Sequence, residues 1–227
     1  MAKSVKRGRR YDSRQRRKQA QQNRRAILEA AHRLFLERGY AGTTISDVAE
    51  ASGLSVESIY KSFGNKPGLL KATVDVAIVG DDAPVPMLDR DLVQQIEAEP
   101  DAHKKLLMYG EHLAESSPRH APLQLLTRSA AASDKGAAKA WDAMQAERLF
   151  GMTEFARHLY ESKALRPGLT LEEARDIIWT LQSAEMYDLL VAQRGWAPER
   201  YGRWIAEAMA AALLGPRRPG AKTVKRR

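Results

Sequence analysis

The chain contains no cysteine, few aromatic residues and no long apolar run. Without cysteine it can form neither disulfides nor thiolate metal sites, and this composition fits a reducing compartment. Phe, Trp and Tyr make up only 7% of its 227 residues, which favours helix over sheet. No window approaches the ~18 consecutive apolar residues of a membrane span, and the polar N-terminus lacks the apolar stretch of a secretory signal. We expect a soluble, cytoplasmic, mostly helical protein.

The net charge of +9 is distributed unevenly along the chain. Residues 1–25 carry eleven Lys or Arg and one acid, and residues 216–227 carry six basic residues and no acid. The interval 26–215 has a net charge of −7. Two cationic ends on an acidic body suit a polyanionic partner that is held mainly by the ends. We predict a basic disordered arm over 1–22 and a basic tail over 216–227, to which no role is assigned.

Apolar residues recur at helical spacing through most of the chain, and no strand pattern of useful length occurs. A first helix of about four turns ends at Gly39, and a break rich in turn formers follows at residues 80–86. Between these two points the pattern predicts three further helices. Beyond the break the pattern predicts longer helices over roughly 89–98, 101–116, 119–133, 136–163, 171–194 and 198–214.

The segment TISDVAEASGLSVESIYKSF, residues 44–63, carries the pattern of a helix-turn-helix. Thr44 with Asp47 three residues later is a capping-box start, and Gly53 permits a tight turn between two short helices. Small and polar residues face outward from the second of these helices. An α-helix with such a face fits the major groove of DNA, where base edges can be recognised.

These residues resemble the TetR (tetracycline repressor) family of bacterial regulators over about 45 positions. The resemblance implies an all-α fold with a helix-turn-helix DNA-binding domain over 23–70 and a larger helical ligand-binding and dimerisation domain over 71–215. The positions that carry it are Gly39-Tyr40, Thr43-Thr44-Ile45, Val48-Ala49, Ala51-Ser52-Gly53-Leu54-Ser55, Ser58-Ile59-Tyr60, Phe63, Gly64-Asn65-Lys66 and Leu69-Leu70.

The resemblance also implies which residues contact DNA. Thr44 and Ile45 begin a helix whose backbone amides approach a phosphate, and Tyr60 and Lys66 contact phosphate oxygens. Other outward residues face bases, so that a lysine could donate to guanine and a valine could touch a thymine methyl group. The base-facing candidates are Ser46, Val56, Glu57, Ser58, Lys61 and Ser62, and Ser55 is a further candidate DNA contact.

Two of the candidate DNA contacts have alternatives. Glu57 could accept a hydrogen bond from cytosine, or it could pair with a nearby cation or cap its own helix. Tyr60 could be a core aromatic residue with its hydroxyl at the surface. The basic arm could be only solvated, although it leads into the first helix through Arg24 and Arg25, and we expect it to follow phosphates or enter a minor groove.

For the larger domain we expect an unknown, partly apolar effector and a homodimer formed by the last two helices. The dimer seam is predicted from one apolar stripe that includes Ile177, Ile178, Leu181, Ala184, Leu189 and Leu190, and a second that includes Tyr201, Trp204, Ile205, Ala208, Met209, Ala212 and Leu213. Candidate pocket residues, each of which could equally be plain core, are Met108, Tyr109, His112, Trp141, Met144, Phe155, His158 and Tyr187.

Together these features predict a ligand-responsive repressor that binds a palindromic operator in the bacterial nucleoid. The first alternative is a DNA-coating protein that uses its basic ends without sequence preference. A second is a regulator controlled by a protein partner or by its abundance. An enzyme is disfavoured because no phosphate-binding glycine loop, GxSxG elbow or HExxH motif occurs, and we expect no cofactor. The five histidines lack metal-ligand spacing, and we expect no metal site.

Overall fold

The structure is a computed structural model that describes the backbone of residues 4–214 and the side chains of residues 15–214. Across these residues the secondary structure is helical apart from one isolated bridge between Leu165 and Leu214. The helices are α1 (Ser4–Arg38), α2 (Ile45–Ser52), α3 (Val56–Phe63), α4 (Lys66–Val79), α5 (Asp91–Ala98), α6 (Ala102–Ala131), α7 (Lys135–Glu161), α8 (Leu171–Leu181), α9 (Ala184–Tyr187) and α10 (Pro198–Leu213). A 3₁₀ turn spans Met87–Asp89, and a π-helical segment spans Asp188–Gln193.

The described residues form two compact units, and α6 and α7 each contribute to both. The first unit holds the chain up to Ala83 together with Pro122–Met144, and the second holds Pro84–Ala121 together with the chain from Gln145. The sequence predicted a domain limit at residue 70, whereas residues 71–83 and 122–144 pack with the N-terminal helices. The predicted limit at residue 70 therefore does not coincide with the boundary of a packed unit. As a division into functional domains it stays a prediction.

The first unit is built on apolar faces of α1 to α4. Phe35 and Val48 are fully buried, and Ile59 brings α3 onto the same core. Burying a side chain of this size contributes about 1.5–3 kcal/mol relative to exposure, so that these few contacts fix the position of the short helices. The core residues of this unit are Ile27, Leu28, Ala30, Ala31, Leu34, Phe35, Ile45, Val48, Ala49, Ile59, Leu69, Leu70, Val74, Ala77, Leu123 and Met144.

The second unit is held by a close crossing of α6 and α10. A Cβ atom added at Gly202 would collide with the carbonyl oxygen of Gly110 and lie 2.8 Å from the Cβ of Ala114. Glycine at both positions lets the two backbones touch, since neither carries a side chain. The core beside this crossing includes Leu106, Leu159, Ile178, Tyr201, Ile205 and Met209.

The basic arm differs from its prediction, because α1 begins at Ser4 and runs without a break to Arg38. The prediction of disorder over 1–22 rested on the lack of apolar periodicity. Lys, Arg, Gln and Ala are nevertheless good helix formers, and no proline interrupts them. The backbone can therefore stay helical without an apolar face. The basic tail over 216–227 lies outside the described residues.

The predicted break at Pro118 is absent, and α6 continues through Pro118 and Pro122. Each proline removes one helical N–H donor, which leaves the carbonyl four residues earlier without its usual partner. Buried neighbours on the same helix, Ser117, Ala121 and Leu123, keep its face against the core. Tertiary packing here outweighs the local cost of proline, which is ~3 kcal/mol in a helix interior.

The helix predicted over 171–194 is three segments. The first, α8, ends at Leu181, and Ser183 starts α9 because its hydroxyl accepts a hydrogen bond from the backbone N–H of Met186. The π-helical segment follows and ends before Gly195, which has a φ of 69°. Apolar periodicity persists across the interruption, so the pattern alone did not show it.

The predicted dimer seam also needs correction, because several of its members are buried inside one chain. Tyr201, Ile205, Met209 and Leu213 lie in the core of the second unit, as do Ile178 and Ala184. A residue that is already buried in the protomer cannot form a surface seam. The half-exposed members are Ile177, Leu181, Leu190, Trp204, Ala208 and Ala212, and Leu189 is exposed.

Candidate nucleic-acid interface

The start of α2 is fixed by reciprocal hydrogen bonds between Thr44 and Asp47. The backbone N–H of Asp47 donates to the Thr44 hydroxyl oxygen at 3.1 Å, and the backbone N–H of Thr44 donates to the Asp47 carboxylate at 2.7 Å. The Thr44 hydroxyl holds the pKa of the Asp47 carboxyl below its usual value. The predicted capping box is therefore present, and it orients the N-terminal amides of α2 outward. Ile45 itself is buried, so only its backbone is available there.

A glycine turn separates α2 from α3. Gly53 has a φ of 68°, in the left-handed region, and its N–H donates to carbonyls of α2. Ser55 then caps α3, because its hydroxyl oxygen accepts the backbone N–H of Ser58 at 3.2 Å. Two short helices with a tight glycine turn between them are therefore present, as the sequence predicted.

The outward face of α3 carries five of the six base-facing candidates, Ser55 is its cap, and Ser46 is exposed on α2. Ile59 points into the core, and Tyr60 is 50% exposed. Neither Glu57 nor Lys61 forms an ion pair with any side chain that the structure describes. The alternative in which Glu57 pairs with a nearby cation is not seen, and Ser55 provides the cap. Glu57 does stand in the first turn, where its charge favours the helix dipole.

Lys66 lies at the first residue of α4 and is half-buried. Its ammonium nitrogen stands 4.1 Å from the centre of the Tyr40 ring, a cation–π contact. Burial lowers the pKa of the Lys66 ammonium, while the nearby charges of Asp134 and Asp47 oppose that shift. Lys66 is therefore partly engaged within the first unit, at the edge of the surface that includes Tyr60.

Asp134 connects this surface to the N-terminus of α7, and the sequence did not single it out. The Tyr40 hydroxyl donates to its carboxylate at 2.9 Å, and the backbone N–H groups of Gly136 and Ala137 donate to its other oxygen. Those backbone donors and the Tyr40 hydroxyl hold the pKa of the Asp134 carboxyl low. An Asp immediately before a helix is a capping signal, but its contact with Tyr40 needs the tertiary structure.

Arg24 and Arg25, at the end of the basic arm, have internal partners. The Arg24 Nε atom lies 2.8 Å from the Asp82 carboxylate, and its guanidinium stacks 4.5 Å from the Phe63 ring centre. Arg25 pairs with Glu29 at 2.7 Å on the exposed face of α1. A phosphate contact by Arg24 would have to compete with Asp82. The more exposed Arg25 pair is weak, since surface ion pairs contribute only ~0–1 kcal/mol.

The predicted pocket residues are only partly brought together. In the second unit the Tyr109 ring lies 4.8 Å from Phe155 and 6.5 Å from His112, and Tyr187 packs edge-on against Tyr201 at 5.3 Å. His158 is 3.5 Å from Glu97, and Met108 is half-buried in the same unit. The other two candidates, Trp141 and Met144, belong to the first unit. Of the eight candidates only Met144, Phe155 and Tyr187 are buried, and helical spacing did not show which unit each candidate joins.

A cleft of about 420 Å³ opens elsewhere in the second unit. It shares no residue with the predicted pocket. Its lining is formed by Leu107, Glu111, Ala114, Glu115, Glu199 and Arg203.

The described residues contain neither a candidate membrane span nor a candidate metal site. Between residues 4 and 214, no helix is both long and apolar enough to cross a membrane. In the same part of the chain, no group of three or more His, Asp or Glu side chains is arranged to hold a metal ion.

The capped α2 and α3, their glycine turn and the common core define a helix-turn-helix domain of the DNA-binding class. Residues 27–73 match the family described as bacterial regulatory proteins, tetR family. The N-terminal domain is thus a tetR-family domain, as the resemblance implied.

Known relatives match a short part of the chain. The HTH-type transcriptional regulator TtgR of Pseudomonas putida is 46% identical over 57 residues, which are 25% of this chain and 27% of that protein. The chain therefore spans about a quarter of the length of that relative. Sequence similarity of this extent covers a quarter of this chain and is comparable in length to the tetR-family match over residues 27–73.

Solved structures extend the likeness to most of the chain at low identity. Bacillus subtilis FadR, solved in complex with stearoyl-CoA, has a TM-score of 0.63 and 19% identity, covering 81% of this chain and 96% of that chain. NalD, a secondary repressor of a multidrug efflux pump in Pseudomonas aeruginosa, has a TM-score of 0.62 and 22% identity, covering 85% and 96%. The fold of a helix-turn-helix domain followed by a larger helical part is therefore confirmed.

Proposed function

We propose that the protein is a ligand-responsive transcriptional repressor that binds a palindromic operator as a homodimer. The observation that carries this proposal is the outward face of α3, which is presented on a capped helix within a tetR-family domain. Neither Lys61 nor Glu57 on this face forms an ion pair with a described side chain. The polar side chains of the face therefore have hydrogen-bonding groups available for base edges. TtgR is by name a transcriptional regulator, which supports the same role.

In this proposal α3 enters the major groove and the residues around it hold the phosphates. The predicted contacts are kept as candidates: Thr44, Ile45 through its backbone, Tyr60 and Lys66 for phosphates, the outward face of α3 for bases, and Arg24 and Arg25 at the end of the arm. A bound phosphate would compete with the Tyr40 ring and Asp134 for Lys66. Lys66 would then respond both to DNA and to the position of α7.

Dimerisation places two recognition helices in successive major grooves, about 34–36 Å apart. Trp204, Ala208 and Ala212 recur at four-residue spacing on α10 and remain half-exposed in the protomer. Small residues in such a stripe permit close helix packing between two copies. These residues, with Ile177 and Leu181 on α8, are the proposed seam in place of the buried members predicted from sequence.

Ligand control would use α6 and α7, since each contributes residues to both units. Asp134 joins the start of α7 to Tyr40 beside Lys66 at the start of α4. A ligand that shifts α7 in the second unit would change the position of α4 and hence the spacing of the recognition helices. FadR, which shares the fold, was solved with stearoyl-CoA bound, and this supports small-molecule binding by the C-terminal part.

The test is a binding selection on genome fragments with the full-length protein at near-physiological salt. We expect one palindromic motif, and a Lys61→Ala variant that binds it ~10- to 100-fold more weakly, as loss of a base contact of ~1–3 kcal/mol requires. Lys139→Ala removes an exposed lysine of α7 and should leave affinity unchanged. Retention of DNA without a motif would instead favour the DNA-coating alternative. Equal weakening by both variants would point to charge alone.

A further inference from the structure

Arg148 lies on α7 in the second unit. Its contacts leave part of the hydrogen-bonding capacity of its guanidinium unused. Its guanidinium stacks on the Trp179 ring with 4.3 Å to the ring centre. One terminal nitrogen donates to the Gln145 side chain at 3.1 Å, and the other donates to the backbone carbonyl of Trp179. The Nε atom is buried and has no hydrogen-bond acceptor among the described residues.

The positive charge of Arg148 also lacks a carboxylate partner among the side chains that the structure describes. The negative charge of Glu185 favours the protonated guanidinium. Burial lowers the pKa of the guanidinium, yet arginine stays protonated in proteins. A buried charge is costly unless it is paired and hydrogen-bonded, so an anion is the missing partner that the chemistry requires.

The surroundings of Arg148 are mainly aromatic, and Glu185 contributes a negative charge. Tyr109 packs on Phe155 at 4.8 Å, and its hydroxyl lies 3.7 Å from the sulfur of Met152. Burial raises the pKa of Tyr109, and it raises that of Tyr201 to about 12, so both phenols are neutral near pH 7. These rings and the thioether favour an apolar, planar ligand body, while the phenols can donate hydrogen bonds to an anion.

A purely structural role explains only part of this arrangement. Trp179 lies in the last turn of α8, where carbonyl groups have no helical N–H donor. The hydrogen bond from Arg148 satisfies its carbonyl, as a C-terminal cap does. Such a cap needs one terminal nitrogen of the guanidinium. It leaves the buried Nε atom and the unpaired charge without an explanation.

We propose that Arg148 is the anion-binding residue of an effector site, and that the effector is a small organic acid with an aromatic body. The carboxylate is held by the guanidinium, including Nε, and the ring lies among Tyr109, Phe155 and Trp179. The description of this ligand as an effector rests on the proposed function, whereas the binding of an aromatic carboxylate does not.

The test is calorimetric titration of the full-length protein with benzoate, phenylacetate and 1-naphthoate, each beside its uncharged amide. At pH 7 we expect at least one carboxylate to bind ten times more tightly than its amide. Arg148→Met should weaken that binding at least tenfold, and Arg148→Lys, which keeps the charge, should weaken it less. Arg157→Met is the matched control, since Arg157 is a partly exposed arginine of α7 that pairs with Glu154 at 3.3 Å.

Three results would overturn the proposal: no carboxylate binds, an amide binds equally well, or Arg148→Met retains the wild-type affinity. The comparison of acid with amide uses the wild-type protein, so it holds even if a variant is unstable. The same titrations are repeated with operator DNA present. Carboxylate binding without any change of operator affinity would leave the anion site standing and contradict ligand control.

Discussion

The two units of the molecule begin their helices in different ways. In the first unit α2, α3 and α4 are each capped by a side chain, from Thr44, Ser55 and Asn65. In the second unit Asp101, Thr170 and Ser183 cap α6, α8 and α9, whereas α5 and α10 begin without a side-chain cap and a π-helical segment follows α9. Local signals therefore mark all three short helices of the first unit but only some helices of the second, where α5 and α10 depend more on packing between distant segments.

The comparisons with other proteins divide at the same place. The tetR-family match spans residues 27–73 and TtgR is 46% identical over 57 residues, whereas likeness to FadR covers 81% of the chain at 19% identity. A domain that presents a fixed helix to DNA is constrained position by position. A helical part that needs only a packed core tolerates many combinations of apolar residues.

The prediction with the largest expected effect tests whether the stability of the second unit depends on close packing, as this contrast implies. Gly202→Val places a branched side chain where even a Cβ atom meets the carbonyl oxygen of Gly110 and the Cβ of Ala114. Overpacking of this kind costs ~1–3 kcal/mol, and more where backbone is the obstacle. We expect the melting temperature of the second unit to fall by more than ~5 °C, as measured by calorimetry.

The control for this variant is Gly151→Ala, in α7 of the same unit. A Cβ at Gly151 meets nothing within 4 Å, so alanine there should be neutral or stabilise the helix by ~0.5–1 kcal/mol. If Gly202→Val melts like the wild type, the crossing of α6 and α10 is looser than the structure shows. The contrast between the units would then lose its physical basis.

A second prediction uses the capping boxes that the two units share. Thr44 begins α2 with Asp47 as its partner, and Thr170 begins α8 with Glu173 as its partner. Thr44→Ala and Thr170→Ala should each cost ~1 kcal/mol, visible as a shift of ~2–4 °C in melting. Only Thr44→Ala should also weaken operator binding, by ~3- to 10-fold, because it disturbs amides proposed to meet a phosphate.

Fluorescence anisotropy with the selected operator measures that difference. Equal operator affinity of the two alanine variants would separate the cap of α2 from DNA binding. Unequal loss of stability would show that the two boxes, although alike in hydrogen bonding, are supported differently by their surroundings.

The sequence predicted much of the first unit because its determinants are local. A threonine with an aspartate three residues on, a glycine between two short helices and Asn65 before α4 are recognisable without tertiary information. The second unit shows the limit of that reasoning. The helices predicted over 101–116 and 119–133 are one helix, because the buried Ser117 and Ala121 keep α6 packed on either side of Pro118.

The candidate site shows the same division. The outward face of α3 follows from helical spacing around the buried Ile59. By contrast, the contact of Asp134 with Tyr40 joins residues 94 positions apart, and that of Arg148 with Trp179 joins residues 31 apart. No periodicity predicts such pairs. Pocket candidates selected by residue type alone therefore divided between two cores.

The smallest expected effect separates the units by their response to acid. Burial lowers the pKa of His112 below its usual 6.5, whereas the neighbouring Glu115 opposes the shift and Arg119 adds to it. Between the folded-state pKa of His112 and 6.5, the unfolded chain binds more protons than the folded protein. The contribution of His112 to stability is therefore complete above about pH 6.5 and is lost as pH falls toward the folded-state pKa. In the first unit the carboxyls of Asp47 and Asp134 have pKa values lowered from 3.8 by hydrogen bonds. Their contribution is lost only below that value.

Melting curves of the wild type and His112→Gln at pH 7.5, 6.5 and 5.5 isolate the contribution of His112. We expect the difference between the two proteins to move by about 1–2 °C in favour of the variant as pH falls, and to do so in the transition of the second unit. The first unit should melt at the same temperature in both proteins, because the Asp47 and Asp134 carboxyls, whose pKa values are lowered, stay ionised throughout this range. Parallel curves would mean that His112 has the same proton affinity folded and unfolded. A change in the melting temperature of the first unit instead would mean that the two units do not unfold separately. The contrast between a locally specified unit and a packing-dependent one would then not extend to their stability.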